Sequence, residues 1–175
     1  MLIINLLLIM SFGLFILKFL KYSQSFQIAG VVIGIKGDVP FQITKRFEPF
    51  VTDACPEYVL EFEGVKQLDM PEGVKVCEEP GIEVWRKQDG TFVRAFYSMN
   101  PYKVYAIATY AWDHKTIHVE YLYDYQSFFR ESGSCFAHIA WETLLAKEAM
   151  AVFHAACVET SYGGILFSGE SQIGK

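Results

Sequence analysis

The stretch Gly164-Ile165-Leu166-Phe167-Ser168-Gly169-Glu170-Ser171-Gln172-Ile173-Gly174-Lys175 joins an apolar, β-type run to two glycines and a lysine at the spacing G-x-x-x-x-G-K. That spacing belongs to a phosphate-binding loop: a strand runs into a Gly-rich turn, backbone N–H groups wrap the phosphates, and the lysine reaches the β and γ oxygens. The Ser or Thr that completes the motif would follow Lys175. The expectation is therefore the front part of a nucleotide-binding protein, with the Mg2+-holding hydroxyl, the acidic metal ligand and any catalytic base beyond Lys175. A loop lacking the helix it should open has lost N–H donors and the helix dipole. By itself the piece is expected to be inactive.

Working upstream, 151–159 and 164–168 read as two strands around Thr160-Ser161-Tyr162-Gly163, a hairpin that delivers the chain into the loop. Before it, Phe136, Ile139, Ala140, Leu144 and Ala151 recur at three- and four-residue spacing, which predicts one amphipathic helix over 135–150 packed on a sheet. Ser132-Gly133-Ser134 offers its N-cap, and a shorter helical turn is expected at 125–130. The middle of the chain has β periodicity. Strands at 82–87 and 91–97 flank Gln88-Asp89-Gly90, and strands at 104–112 and 116–122 flank Asp113-His114-Lys115, giving an antiparallel meander. Nearer the start, 26–35 reads as one opening strand, 57–63 alternates with Tyr58, Leu60 and Phe62 on one face, and 67–80 reads as a surface connection with a short strand at 74–77.

Composition bounds the rest. The chain has 175 residues, 52% apolar and 16% aromatic, with a net charge of −5. Scattered lysines and arginines on an acidic chain give no electrostatic reason to expect nucleic acid. Cys55, Cys77, Cys135 and Cys157 never form a C-x-x-C pair, which fits buried or half-buried free thiols in a reducing, cytoplasmic compartment. Residues 1–17 are uncharged and Lys18 and Lys21 follow, so 1–20 is either a membrane anchor with the following domain inside or translated sequence upstream of a soluble domain. The expected organisation is a hydrophobic segment at 1–20, a β-rich region at 22–131, and the start of a P-loop kinase domain at 132–175. The fold class is α/β with an α+β-like layout: an antiparallel β-rich region, one packing helix, then a hairpin entering the P-loop.

The string His154-Ala155-Ala156-Cys157-Val158-Glu159, a turn, and 164–175 resembles the approach to the kinase core in the HPr kinase/phosphorylase family, within the phosphoenolpyruvate-carboxykinase-like fold. The match covers 153–175. The resemblance implies an ATP-dependent kinase that uses Mg2+ and acts on a serine-type hydroxyl of a protein or peptide. Carried over by position, Gly169, Ser171, Gly174 and Lys175 match the loop, with Glu170, Gln172 and Ile173 between them in contact with nucleotide. His154 matches the histidine on the preceding strand. Gln172 stands where the family often has Gly, and Ala156 replaces the more usual Ser.

Lys175 and His154 are thus the candidate catalytic residues. Lys175 would neutralise charge on the transferred phosphoryl group. Three other patterns invite weaker readings. His114 and His118 have the i, i+4 spacing of a helical metal pair but fall around a hairpin turn. His138 reads as a residue on the polar edge of the helix. The aromatics Tyr97, Tyr102, Tyr105, Tyr110, Trp112, Tyr121, Tyr123 and Tyr125 suit sheet packing better than a peptide groove. Two rival functions stand beside the kinase: another P-loop NTPase, and a non-catalytic peptide-binding module with a vestigial P-loop.

Overall fold

The computed structural model describes residues 22–38, 40–151, 155–161 and 163–168. They fall into two compact units, one reaching His138 and one starting at Ile139.

The first unit is built on one mixed sheet of nine strands: β1 (Tyr22–Ile28), β2 (Val31–Gly37), β3 (Val51–Thr52), β4 (Tyr58–Val65), β5 (Val74–Glu79), β6 (Ile82–Arg86), β7 (Phe92–Met99), β8 (Tyr102–Ala111) and β9 (Thr116–Leu122). Their spatial order is β3-β1-β2-β4-β9-β8-β7-β6-β5. From β5 to β9 the chain is the antiparallel meander that its turn chemistry predicts. Two pairings break that pattern. β2 with β4 and β4 with β9 run parallel, so the sheet is mixed.

The opening segment is a correction to the single strand expected at 26–35. It is a hairpin of β1 and β2 closed by Ala29 at φ 52° and Gly30 at φ 83°. Two consecutive positive φ values make the two-residue turn whose twist matches the flanking strands. An Ala-Gly pair lacks the Asn or Asp that usually announces it.

Register explains the core. Tyr58, Leu60 and Phe62 alternate inward as expected, and Leu60 lies beside Ile35 and Ile117, Phe62 beside Val119. Phe26, Ile33, Ile35, Leu60, Ile117, Val119 and Tyr121 on this face are all essentially inaccessible to water. At about 1.5–3 kcal/mol for each large apolar side chain, the face is the main source of stability in the unit. It is covered by the segment after β9, which makes 3-10 turns at Tyr123–Tyr125 and Phe128–Arg130 and a short helix α1 (Ser132–Phe136). Phe129 packs 4.4 Å from Tyr121 and 5.3 Å from Phe62 between ring centroids, and Phe136 meets Phe26 edge-on at 5.0 Å.

The long helix expected at 135–150 is not formed. α1 ends at Phe136, and a separate helix α2 (Trp141–Lys147) follows in the second unit. The apolar spacing is continuous with one helical stripe, but the chain turns through 137–140 and buries the His138 side chain instead of continuing. The N-cap also differs. Glu131 occupies that position, while Ser132 lies inside the helix and its Oγ accepts from the backbone N–H of Thr44 at 3.2 Å.

The link from β4 to β5 crosses the opposite face of the sheet. Five strand spacings of about 4.8 Å separate the two, roughly 24 Å, and Val74 lies level with Leu60, roughly 16 Å back along β4 from Val65, so residues 66–73 cover a diagonal of about 29 Å only when nearly extended. Leu68 in this link packs on Val93, Ala95 and Ile107, which form a second, smaller core with Trp85, Tyr97 and Val104. Gly73, at φ 144°, admits the link to β5: a Cβ there would lie 2.4 Å from the carbonyl oxygen of Arg86.

Candidate functional site

The second unit holds the approach to the expected phosphate loop. α2 ends in a reverse turn at Ala149, φ 56°, with the N–H of Ala149 donating to Ala146 at 3.2 Å and that of Met150 to Leu145 at 2.8 Å. This is the paired-bond helix stop that normally takes glycine at the left-handed position. After it, β10 (Ala155–Thr160) and β11 (Gly163–Ser168) form an antiparallel hairpin. Thr160 pairs with Gly163, and the Thr160 hydroxyl donates to the Gly163 carbonyl at 2.8 Å. At the other end Ala155, the residue after His154, pairs with Ser168, the residue before Gly169. His154 and the loop residues Gly169, Glu170, Ser171, Gln172, Ile173, Gly174 and Lys175 lie outside the described residues, as does the segment 1–20. Among the described residues no helix is long and apolar enough to cross a membrane.

In the first unit His138 is a buried titratable group whose proton affinity the fold strongly perturbs. It is not at a polar edge: 1% of its surface is exposed, and the rings of Phe96, Phe129, Tyr105 and Phe62 surround it at centroid distances of 4.5, 4.8, 5.9 and 6.2 Å. Nδ1 donates to the Ser134 carbonyl at 2.9 Å, which leaves Nε2 unprotonated and facing the Tyr105 hydroxyl at 3.4 Å. Burial pushes its pKa down to about 4, against partial support from the Ser134 and Cys135 backbone. The ring is neutral at physiological pH. It fixes the turn after α1, helped by the Tyr110 hydroxyl donating to the His138 carbonyl at 2.8 Å. The sequence signal for this burial was Phe128, Phe129 and Phe136, three large apolar rings within ten residues of the histidine.

A second polar centre escaped the sequence altogether. Asp38, just past β2, accepts the Tyr121 hydroxyl at 2.8 Å and the Gly64 N–H at 2.9 Å, tying three strands together at one end of the sheet. Burial, then the bond to Asp38, raises the Tyr121 pKa well above the usual phenol value. These are structural contacts with no free catalytic group.

On the opposite face, a depression of about 810 Å³ opens beside the crossing link, with Asp69, Glu72, Asp89 and Glu120 at its walls, one lysine, Lys87, and a floor of Val93, Ile107 and Thr109. Farther along this face His118 Nε2 lies 3.7 Å from Glu63, and Lys36 lies 3.9 Å from Glu61. His114 sits in the turn before β9 and does not join His118. Among the described residues no three His, Cys, Asp or Glu side chains converge to hold a metal.

The aromatics do not line one groove. Tyr97 stacks on Tyr102 at 4.7 Å, Tyr105 on Tyr125 at 5.0 Å, and Tyr110 on Trp112 at 5.3 Å, in separate packings. The thiols also differ from expectation: Cys135 is buried, but Cys55 and Cys77 are exposed. Compared with family models, with curated proteins and with solved structures, the chain matches none.

Proposed function

We propose that this chain carries the nucleotide-binding front of an ATP-dependent kinase similar to HPr kinase, which transfers the γ-phosphoryl group of Mg-ATP to a serine-type hydroxyl of a protein or peptide. One observation supports this assignment most: β11 runs as a paired strand up to Ser168, directly before the G-x-x-x-x-G-K string, which is the strand-then-loop context the motif requires. The pairing of Ala155 with Ser168 adds to it, because the residues on either side in sequence are His154 and Gly169, the two ends of the proposed site.

On this assignment Lys175 and the loop amides bind the phosphates, and His154 acts beside them. When bound, Mg2+ would supply charge neutralisation of the β and γ oxygens. Its ligands would come from outside the described residues, which offer no converging donor set. The rival module reading draws on the acidic depression of the first unit, whose walls suit a basic extended peptide better than a phosphate.

The test is a chain extended through the residues encoded after Lys175, titrated with Mg-ATP and then incubated with labelled ATP and a serine peptide. Saturable binding that weakens at least tenfold in Lys175→Ala, with label appearing on peptide, is the expected result. Binding with release of free phosphate only would identify an NTPase. No saturable nucleotide binding would leave the module.

A further inference from the structure

We propose that the outer edge of β5 is a homodimerisation edge, at which two copies of this chain join their sheets antiparallel, with Lys75 of each copy opposite Glu78 of the other. β5 is the last strand in the sheet order, and all six of its residues are exposed. Among the described residues no strand pairs with its outer side. Val74 is 63% exposed and Val76 46%, so the edge offers apolar side chains together with outward backbone groups that no strand among the described residues pairs. Such an edge recruits another strand unless something prevents it. At the other end of the sheet, the two residues of β3 cover part of β1.

The register follows from a bulge. Lys75 pairs with Trp85 and Cys77 with Val84, so Val76 is the extra residue. Lys75 and Glu78 therefore stand on the side of the sheet that carries Trp85 and Glu83, whereas Val74, Cys77 and Glu79 stand on the other. A two-fold axis perpendicular to the sheet keeps each side continuous across the junction, so facing residues must come from the same side. Placing Lys75 opposite Glu78 of the partner subunit meets this condition and also sets Val74 opposite Glu79 and Val76 opposite Cys77. A slip of one residue either way faces Lys75 with Cys77 or Glu79, which point to the wrong side.

Charge selects the same arrangement. Lysine and bulges commonly guard an edge against pairing, but the Lys75 ammonium already sits 2.5 Å from Glu78 and 3.1 Å from Glu83. Glu83 is itself anchored by the Tyr97 hydroxyl at 2.8 Å and the Trp85 indole N–H at 3.2 Å. Exchanging one Glu78 for the partner's leaves every charge paired, whereas facing like charges across the junction would oppose pairing, so the charges favour this register over others. A junction of six residues per copy falls below the roughly 1,200 Å² of a standard interface, so association is expected to be concentration-dependent and weak.

The test uses the full chain in sedimentation velocity from about 1 to several hundred micromolar, with a short bismaleimide added in parallel and cross-linked peptides identified by mass spectrometry. In the proposed register the two Cys77 Cα atoms lie on the order of 6 Å apart, one strand spacing and one residue step. The expected result is a monomer–dimer equilibrium with a Cys77–Cys77 cross-link. Lys75→Glu and Glu78→Lys should each weaken it at least tenfold, and the double variant should restore it, with circular dichroism confirming the fold of each. A monomer at every concentration overturns the proposal. So does association that survives both single charge reversals, as aggregation through the apolar segment 1–20 would, or a dimer without the Cys77 cross-link.

Discussion

His138 shows how one residue ties stability to pH. Its folded pKa of about 4 lies below the ordinary 6.5, so as pH falls through 6.5 the unfolded chain takes up a proton that the native state refuses. Stability is therefore complete above about pH 6.5 and declines until pH 4, by about 3 kcal/mol from this group alone. Urea unfolding of wild type and His138→Gln between pH 4.5 and 7.5 should show a shallower pH slope in the variant. An unchanged slope would mean that the ring titrates normally. Cys135 gives a parallel contrast. Burial pushes its thiol up to about 12, so a thiol reagent should label Cys55 and Cys77 in native protein well before Cys135, and all of them alike in denaturant.

At the scale of elements, turns decide what periodicity leaves open. Ala29 and Ala149 hold left-handed backbone at φ 52° and 56°, a conformation that Asn or Gly adopts at less cost. Ala29→Asn in the β1–β2 turn and Ala149→Gly at the end of α2 should each stabilise by about 0.5–1 kcal/mol, read as a raised urea midpoint. A lowered midpoint for either would show that the methyl group makes contacts outweighing the strain. The first of these positions also explains a departure from sequence reading: Ala29 is not Asn, Asp or Gly, so 26–35 reads as one strand, whereas the helix expected at 135–150 is interrupted upstream of Ala149, at 137–140. Where turn chemistry was explicit the elements were legible: the turn around Asp89 and Gly90 holds, with the Asp89 carboxylate accepting from the Thr91 N–H at 2.9 Å.

For the whole molecule, the crossing link sets the constraint. Residues 66–73 bridge a diagonal of roughly 29 Å across the sheet, and shortening them by two leaves a reach of about 23–25 Å, too little to join β4 to the far edge. Deleting two residues within 66–72 should therefore prevent the sheet from closing, seen as loss of the cooperative melt. Gly73→Ala tests the same link more gently: a methyl group 2.4 Å from the Arg86 carbonyl at φ 144° should cost about 2–4 kcal/mol. A two-residue deletion that melts like wild type would mean that the sheet curves enough to shorten the path.

By itself the sequence determined what is local. Alternation placed Tyr58, Leu60 and Phe62 inward, Asp89-Gly90 and 113–115 placed hairpins, and the G-x-x-x-x-G-K string marked the candidate loop, because period-two patterning and turn residues act over a few neighbours. Only the tertiary structure decided that β4 lies parallel between β2 and β9, that Asp38 joins three strands, and that His138 is neutral inside an aromatic shell. Those outcomes depend on which segments meet across separations that run from 25 to 83 residues of chain, and short-range patterning carries no information about that distance.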